Sequence, residues 1–222
     1  MKTKQEVINE IEPLGIFWEK HHIECSDGIL TIGIGRCKTE LYDNLLNKFY
    51  NKETFENKTI LDIGCNAGGN LIELSKFNPK NLTGIDYSSF YIKQCEYMLN
   101  LKNIKNYKVF NYKFCDEYDY KKYENDLGKF DVIFCLGVIY HCKKKTVQDI
   151  LNYLYNNGKK IIMSSQTFNS SGRPNVDWDV SVESIKKMVY DAGFSSIITL
   201  ILTQQNDSSN GKTNNFYFEA IH

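Results

Sequence analysis

From Thr59 onward, short apolar runs alternate with longer stretches in which apolar residues recur every three or four positions. The runs suit strands buried on both faces and the stretches suit helices with one apolar stripe, so the alternation predicts a parallel sheet covered by helices. Strands are expected at 59–63, 81–85, 107–112, 130–136, 159–165, 195–202 and 216–221. Helices are expected at 68–77, 88–101, 143–156 and 181–192. Ser181-Val182-Glu183-Ser184 marks the start of the last helix. It has the shape of a capping box, in which a Ser oxygen and a Glu side chain satisfy each other's free backbone N–H groups. The last two strand runs are joined by Gln204 to Asn215, a stretch without an apolar residue, and together they predict a closing hairpin. The expected fold class is α/β, a seven-stranded, mostly parallel sheet flanked by helices, with an antiparallel C-terminal strand.

Residues 1–50 precede this pattern and are too short for a second core. They carry a predicted helix near 2–11, a segment from Pro13 to Gly35 rich in Gly, aromatics and His, and a second predicted helix near 39–50. The division expected is therefore a helical lid or acceptor-pocket wall over 1–50, lying across the open end of the sheet, and a main domain over 51–222. No internal repeat is visible.

The stretch from Thr59 to Leu71 reads Thr-Ile-Leu-Asp-Ile-Gly-Cys-Asn-Ala-Gly-Gly-Asn-Leu, a buried strand that breaks into a small-residue turn and enters a helix. Ligands of such sheets bind just beyond the carboxyl ends of the strands, where this turn lies. Gly64 and Gly68 remove the Cβ atoms that would block close approach to the backbone, and Asn66 tolerates left-handed geometry. An ordinary tight strand-to-helix turn is the alternative. Against it stands Asp86, at the end of Leu82-Thr83-Gly84-Ile85-Asp86 and about 20 residues downstream, a position from which a carboxylate accepts hydrogen bonds from both hydroxyls of an adenosine ribose.

These residues resemble the class I S-adenosylmethionine (SAM) dependent methyltransferases, a Rossmann-like family whose first motif is an acid, a small residue and a glycine-rich turn, followed by a ribose-binding acid. The middle glycine of the usual turn is Asn66 here. A dinucleotide site shares the spacing, but the G-x-G-x-x-G pattern is absent. A pyrophosphate on this turn would also be repelled by Asp62, whereas the ammonium of a bound SAM would be attracted. The resemblance covers about residues 55–222. It implies that SAM is the cofactor and S-adenosylhomocysteine the product. It also implies that Gly64, Cys65 and Asn66 line the methionine part, with Asp62 and Gly68 in the same motif. Asp86 would hold the ribose and Tyr87 would pack near the adenine. After the third strand the family's acid aligns with Lys113 or Asp116, so Phe114, Cys115 and Asp116 are candidates for the adenine edge; a surface-loop role for Asp116 is equally open.

The strand from Phe130 runs through Leu136 into Gly137-Val138-Ile139-Tyr140-His141. This ending resembles the Gly-Val-Leu-Tyr-His of methyltransferases related to the bacterial enzymes that modify the tRNA wobble uridine. The resemblance implies that Leu136 and Gly137 contact the cofactor while Tyr140 and His141 face the acceptor. A His titrates near neutrality, so His141 is the candidate general base for a hydroxyl or ammonium acceptor. A His that merely caps the following turn is the alternative, and an anionic acceptor would need no base.

Trp18, His21 and His22, ahead of the Asp27-Gly28 turn, are similar to a Trp and His in that wider group and are candidates for the acceptor pocket. Metal ligation by His21, His22 and Cys25 lacks the spacing of a structural zinc site, and no metal is expected. Arg173 and Trp178 sit in the long polar loop after the fifth strand, and Arg36 in the front segment. An Arg grips a carboxylate or phosphate with two parallel hydrogen bonds, which points to an anionic acceptor. A solvated Arg is the alternative.

Charge then narrows the acceptor. Lys plus Arg and Asp plus Glu number 27 each, so no net field gathers a polyanion. The clusters Lys121-Lys122, Lys143-Lys144-Lys145 and Lys159-Lys160 read as solvated surface. Neither a signal peptide nor an apolar run of membrane-spanning length is present, so a cytoplasmic protein is expected. The seven cysteines are scattered and several lie in apolar runs, which predicts reduced, mostly buried thiols. Three functions follow. The leading one is methylation of a small metabolite, such as a sugar or phosphate-bearing precursor of a surface polysaccharide. The second is tRNA wobble-uridine modification, against which the charge balance and the short front segment count, the known tRNA enzymes of this group carrying a longer one. The third is a SAM-binding module without turnover.

Overall fold

A computed structural model describes residues 1–35, 51–114, 126–166, 180–207 and 211–222. In chain order the described elements are α1 (Lys4–Ile11), β1 (His21–Cys25), β2 (Gly28–Ile32), α2 (Lys52–Phe55), β3 (Thr59–Ile63), α3 (Gly69–Ser75) and β4 (Asn81–Asp86). They continue with α4 (Ser89–Leu101), β5 (Tyr107–Asn111), β6 (Phe130–Leu136), α5 (Lys144–Asn157), β7 (Gly158–Gln166), α6 (Val182–Asp191), β8 (Ser196–Asp207) and β9 (Gly211–Ile221).

The seven-stranded sheet has the order β5-β4-β3-β6-β7-β9-β8. Strands β5 to β7 pair in parallel, and β9 lies antiparallel between β7 and β8. The predicted sheet and its antiparallel last strand are therefore present, with that strand inside the sheet and β8 at the edge. The hairpin is longer than polarity suggested. Backbone pairing runs through Gln204↔Asn214 to Asp207↔Gly211, because ladder hydrogen bonds do not require apolar side chains.

Side chains alternate across each strand and so build two cores. Leu61 and Ile63 of β3, with Ile133 and Cys135 of β6, pack with Val147, Leu151 and Leu154 of α5 and Ile185 and Val189 of α6. On the other face Ile60, Leu82, Val132 and Phe134 meet Leu71 and Leu74 of α3 and Cys95 and Leu99 of α4. Each of these fully buried aliphatic side chains contributes on the order of 1.5–3 kcal/mol. Helix α6 opens on the predicted box with a different partner. Ser181 Oγ accepts from Ser184 N at 3.0 Å and Ser184 Oγ accepts from Ser181 N at 2.9 Å, so the third helical residue is Ser184 and not Glu183.

The front segment differs from its expected form. Beyond α1 it holds an antiparallel pair, β1–β2, folded around Asp27-Gly28. Val7, Phe17, Ile23, Cys25 and Ile32 pack with Ala67 and Met98, which makes these residues a third layer outside α3 and α4. Tyr97 donates to Glu10 at 2.9 Å, and Gln94 donates to the Leu14 and Ile16 carbonyls at 2.8 and 3.1 Å. The predicted helix at 39–50 lies outside the described residues. Cys25, Cys65, Cys95 and Cys135 are free and buried, but Cys142 is disulfide-bonded, which corrects the expectation of reduced thiols at that position. A disulfide depends on how close two Cβ atoms lie in space, which sequence spacing does not reveal. No helix among the described residues is long and apolar enough to cross a membrane.

Candidate active site

The turn after β3 is held by the end of β4. Gly64 N and Cys65 N both donate to the Ile85 carbonyl, at 2.8 and 3.0 Å. The chain then passes through left-handed conformations at Asn66 (φ 48°) and Gly68 (φ 83°) before entering α3. Gly68 is the N-cap of that helix and has no side chain to cap it. Its missing Cβ would stand 2.8 Å from Cys95 Sγ on α4.

Asp86 ends β4 at 5% exposure. Its Oδ2 accepts from Asn66 N and its Oδ1 from Ser88 N, each at 3.0 Å, so one carboxylate fastens the β3 turn to the start of α4. Burial pushes this carboxyl above the ordinary range, against the pull of the backbone N–H groups of Ser88, Asn66 and Tyr87. A carboxylate has about four lone-pair sites, so these contacts do not exhaust its capacity to accept from a ligand hydroxyl. The neighbouring Tyr87 is 68% exposed and lies edge-on to Tyr91 with ring centroids 6.2 Å apart.

Two more buried carboxylates approach the turn. Asp62 lies within β3 opposite Gly84 and Phe134 and is 2% exposed. Glu19, which the sequence reading passed over, arrives from the front segment, and its Oε2 accepts from Gly69 N at 2.8 Å. The neighbouring Trp18 was singled out there, but nothing local marks Glu19 as a cap for a helix 50 residues later. Cys65 sits under the turn, its thiol pushed well up by its hydrogen bond with Cys95 and by burial.

On the other side, β6 ends at Leu136 and Gly137 turns with φ 75°. A short 3-10 turn, Ile139–His141, follows. The Tyr140 hydroxyl lies 3.4 Å from the position a Cβ on Gly137 would take, and the Tyr140 and His141 rings are 4.3 Å apart between centroids. His141 is exposed and Tyr140 half-buried. Val138 reaches back over the first turn, with Cγ2 2.6 Å from the Cβ that Gly64 lacks. The strand ends that carry Gly64, Asp86 and Gly137 thus lie side by side at one edge of the parallel sheet.

The remaining candidates are placed differently from one another. Trp18 is 59% exposed, beside Glu19. His21 is buried behind Glu19, its Nε2 3.9 Å from Glu19 Oε2. His22 lies on the outer face of the hairpin, with Nδ1 2.9 Å from Thr31 Oγ1. Its carbonyl accepts from Lys102, which follows the end of α4 farthest from Asp86. A cavity of about 290 Å³ lies on that outer side between the hairpin and α3, lined among others by Lys20, His22, Lys76 and Lys102. The Phe114 ring is committed to the core, edge-on to Tyr153 at 5.3 Å. Cys115, Asp116, Arg36, Arg173 and Trp178 lie outside the described residues. Among the described residues no three His, Cys, Asp or Glu side chains gather as a metal site.

The profile of a methyltransferase domain family matches residues 54–201. The chain belongs to the methyltransferase domain family. A tRNA U34 carboxymethyltransferase of Campylobacter jejuni is 30% identical to this methyltransferase over 185 residues, 77% of this chain and 60% of that protein. The same-named protein of Nautilia profundicola is 40% identical over 87 residues, 39% of this chain and 26% of that protein. The methyltransferase thus spans about 60% of the length of the Campylobacter relative. Among solved structures, the N-terminal domain of EvdMO1 with S-adenosylhomocysteine bound superposes with a TM-score of 0.74 at 17% identity, covering 100% of this chain and 98% of that one.

The methyl donor of the family is SAM. The residues of this methyltransferase fit that cofactor. Asp86 keeps acceptor capacity for the ribose, and Asp62 makes the turn hospitable to an ammonium and hostile to a phosphate, whereas the Cβ positions that Gly64 and Gly68 leave open are taken by Val138 and Cys95 and serve packing of the turn.

Proposed function

We propose that this methyltransferase transfers a methyl group from SAM to an oxygen, or a nitrogen, of a small polar and anionic acceptor, such as a sugar or phosphate-bearing precursor of a surface polysaccharide. The observation that carries the reading is the contact of Val138 with Gly64, which brings the turn bearing Tyr140 and His141 against the turn assigned to the cofactor. When bound, the cofactor supplies a methyl group activated for displacement by a nucleophile. Asp86 holds the ribose hydroxyls, and Asp62 draws the ammonium toward the β3 turn. Gly64, Cys65, Asn66, Leu136 and Gly137 line the methionine part, and Tyr87 covers the adenine. His141 takes the proton from the acceptor hydroxyl and Tyr140 donates a hydrogen bond that orients the acceptor. Trp18, at the edge of the front segment, supplies an aromatic face for a sugar ring, and Arg36 and Arg173 are assigned to the anionic group.

The balance of 27 basic and 27 acidic residues supports a small acceptor over a polyanion. The N-terminal domain of EvdMO1 has been solved in the presence of S-adenosylhomocysteine and D-fucose, which is consistent with a sugar. The second reading is tRNA wobble-uridine modification, favoured by Gly137-Val138-Ile139-Tyr140-His141 and by the relatives named for that activity. Incubation with radiolabelled SAM, a panel of sugars and sugar nucleotides, and bulk tRNA separates the two. Label in a small-molecule fraction supports the first reading, label in tRNA replaces it with the second, and label in neither leaves a binding module.

A further inference from the structure

We propose that Glu19 is a positioning residue for the cofactor turn, through which the front segment sets cofactor affinity. This rests on the assignment of SAM to that turn.

Helix α3 begins with a glycine N-cap, so its first free N–H groups lack the local Ser, Thr or Asp oxygen that ordinarily satisfies them. Glu19 supplies that acceptor from outside, through the 2.8 Å bond from Gly69 N to Oε2, with Glu19 and Gly69 both buried. The turn it steadies holds Asn66 and Gly68 in left-handed conformations, which carry a backbone cost of their own for Asn. Glu19 is itself clamped. A Cβ on Gly33 would stand 1.9 Å from the Glu19 carbonyl oxygen, and one on Gly35 would stand 2.2 Å from that of Trp18, so the strand carrying Glu19 lies flush against the 33–35 backbone. Ile34 N donates to the Phe17 carbonyl at 3.1 Å, and Gln94 fixes the Leu14 and Ile16 carbonyls from α4. Residues 14–19 are therefore tied to both helices that start at these strand ends, and any shift of this strap reaches Gly69 through one carboxylate. Through Oε2, which accepts from Gly69 N, Glu19 acts on the turn.

The test compares Glu19→Ala, Glu19→Gln and Gly33→Ala by calorimetric titration with SAM and with S-adenosylhomocysteine, below each variant's melting temperature. Glu19→Ala is expected to weaken both ligands about tenfold or more, the scale of one charge-assisted hydrogen bond. Glu19→Gln, whose amide oxygen accepts the same bond, is expected to stay within about threefold of wild type on the same scale. Gly33→Ala is expected to reproduce the loss at a distance, and combining it with Glu19→Ala to add little. Wild-type affinity in Glu19→Ala overturns the proposal by leaving Glu19 a purely structural part. A loss in Glu19→Gln as large as in Glu19→Ala overturns it by assigning the charge a direct role. If Glu19→Ala does not fold, Glu19→Gln and Gly33→Ala decide the matter. Failure of the wild-type protein to bind either ligand is a separate result that removes the cofactor assignment itself.

Discussion

Val138 Cγ2 lies 2.6 Å from the place a Cβ on Gly64 would take, so the turn after β6 is seated on the turn after β3. Gly64 also has φ 75°, where an L side chain is strained. Gly64→Ala is therefore expected to cost about 2 kcal/mol or more, combining backbone strain with overpacking. Urea unfolding measures the loss. Adding Val138→Ala is expected to recover the steric part and leave the backbone part.

Asp86→Ala removes the only side chain that bonds both the β3 turn and Ser88 among the described residues. SAM affinity is expected to fall by roughly 30-fold or more, equivalent to about 2 kcal/mol. Unchanged affinity by calorimetry contradicts this role.

The same carboxyl gives a pH signature. Burial raises its pKa above the ordinary value of 3.8. The folded form thus holds its proton more tightly than the unfolded chain, and its contribution to stability is greatest in acid and shrinks as pH rises through the raised value. Ligand hydroxyls need the ionised form. SAM affinity is accordingly expected to be flat near neutrality and to weaken as pH is lowered into the window just above 3.8, before acid unfolding. Titrations across that window, with Asp86→Asn as the insensitive control, check the sign.

Asp131 behaves oppositely. Lys159 at 2.8 Å, with Thr59 N and Oγ1 at 3.0 Å, lowers its carboxyl to about 2. Its stabilisation is present above the unfolded carboxylate value and is lost as pH falls toward about 2. Lys159 is 81% exposed, so the ion pair itself is screened. Asp131→Asn is expected to lower stability at neutral pH by about 1 kcal/mol. The gap to wild type should close in acid, as denaturant melts at several pH values will show.

His141→Ala is expected to bind SAM within about threefold of wild type while turnover falls about 10²- to 10⁴-fold, the range for loss of a general base. Equal rates would remove His141 from the chemistry and leave alignment alone.

Much of this site was legible because its parts are short and contiguous. Gly64 to Gly68 shows its turn in composition, and Asp86 is marked by its distance from that turn at the end of an apolar run. Glu19 and Val138 were not legible. Each matters through a contact with a glycine or backbone group far along the chain, and neither residue type is unusual where it stands. The front hairpin hid behind polar residues at alternate positions, His22 and Glu24 facing out while His21, Ile23 and Cys25 face in. Ser184 replaced Glu183 in the α6 cap because the box joins the N-cap to the residue three positions on, which from Ser181 is Ser184. Phe114 looked available for the adenine, but its ring fills space against Tyr153 on a helix that the sequence places far away.

The insertion of β9 between β7 and β8 has a consequence for how the molecule is made. Residues Gly211 to Ile221 are synthesised after both strands they pair with, yet they occupy an interior lane of the sheet. Until they emerge, β7 shows a raw hydrogen-bonding edge, and β8 has nothing to pair with. Such an edge invites pairing with another chain. A chain truncated just before Gly211 should therefore aggregate sooner than one that runs through Ile221.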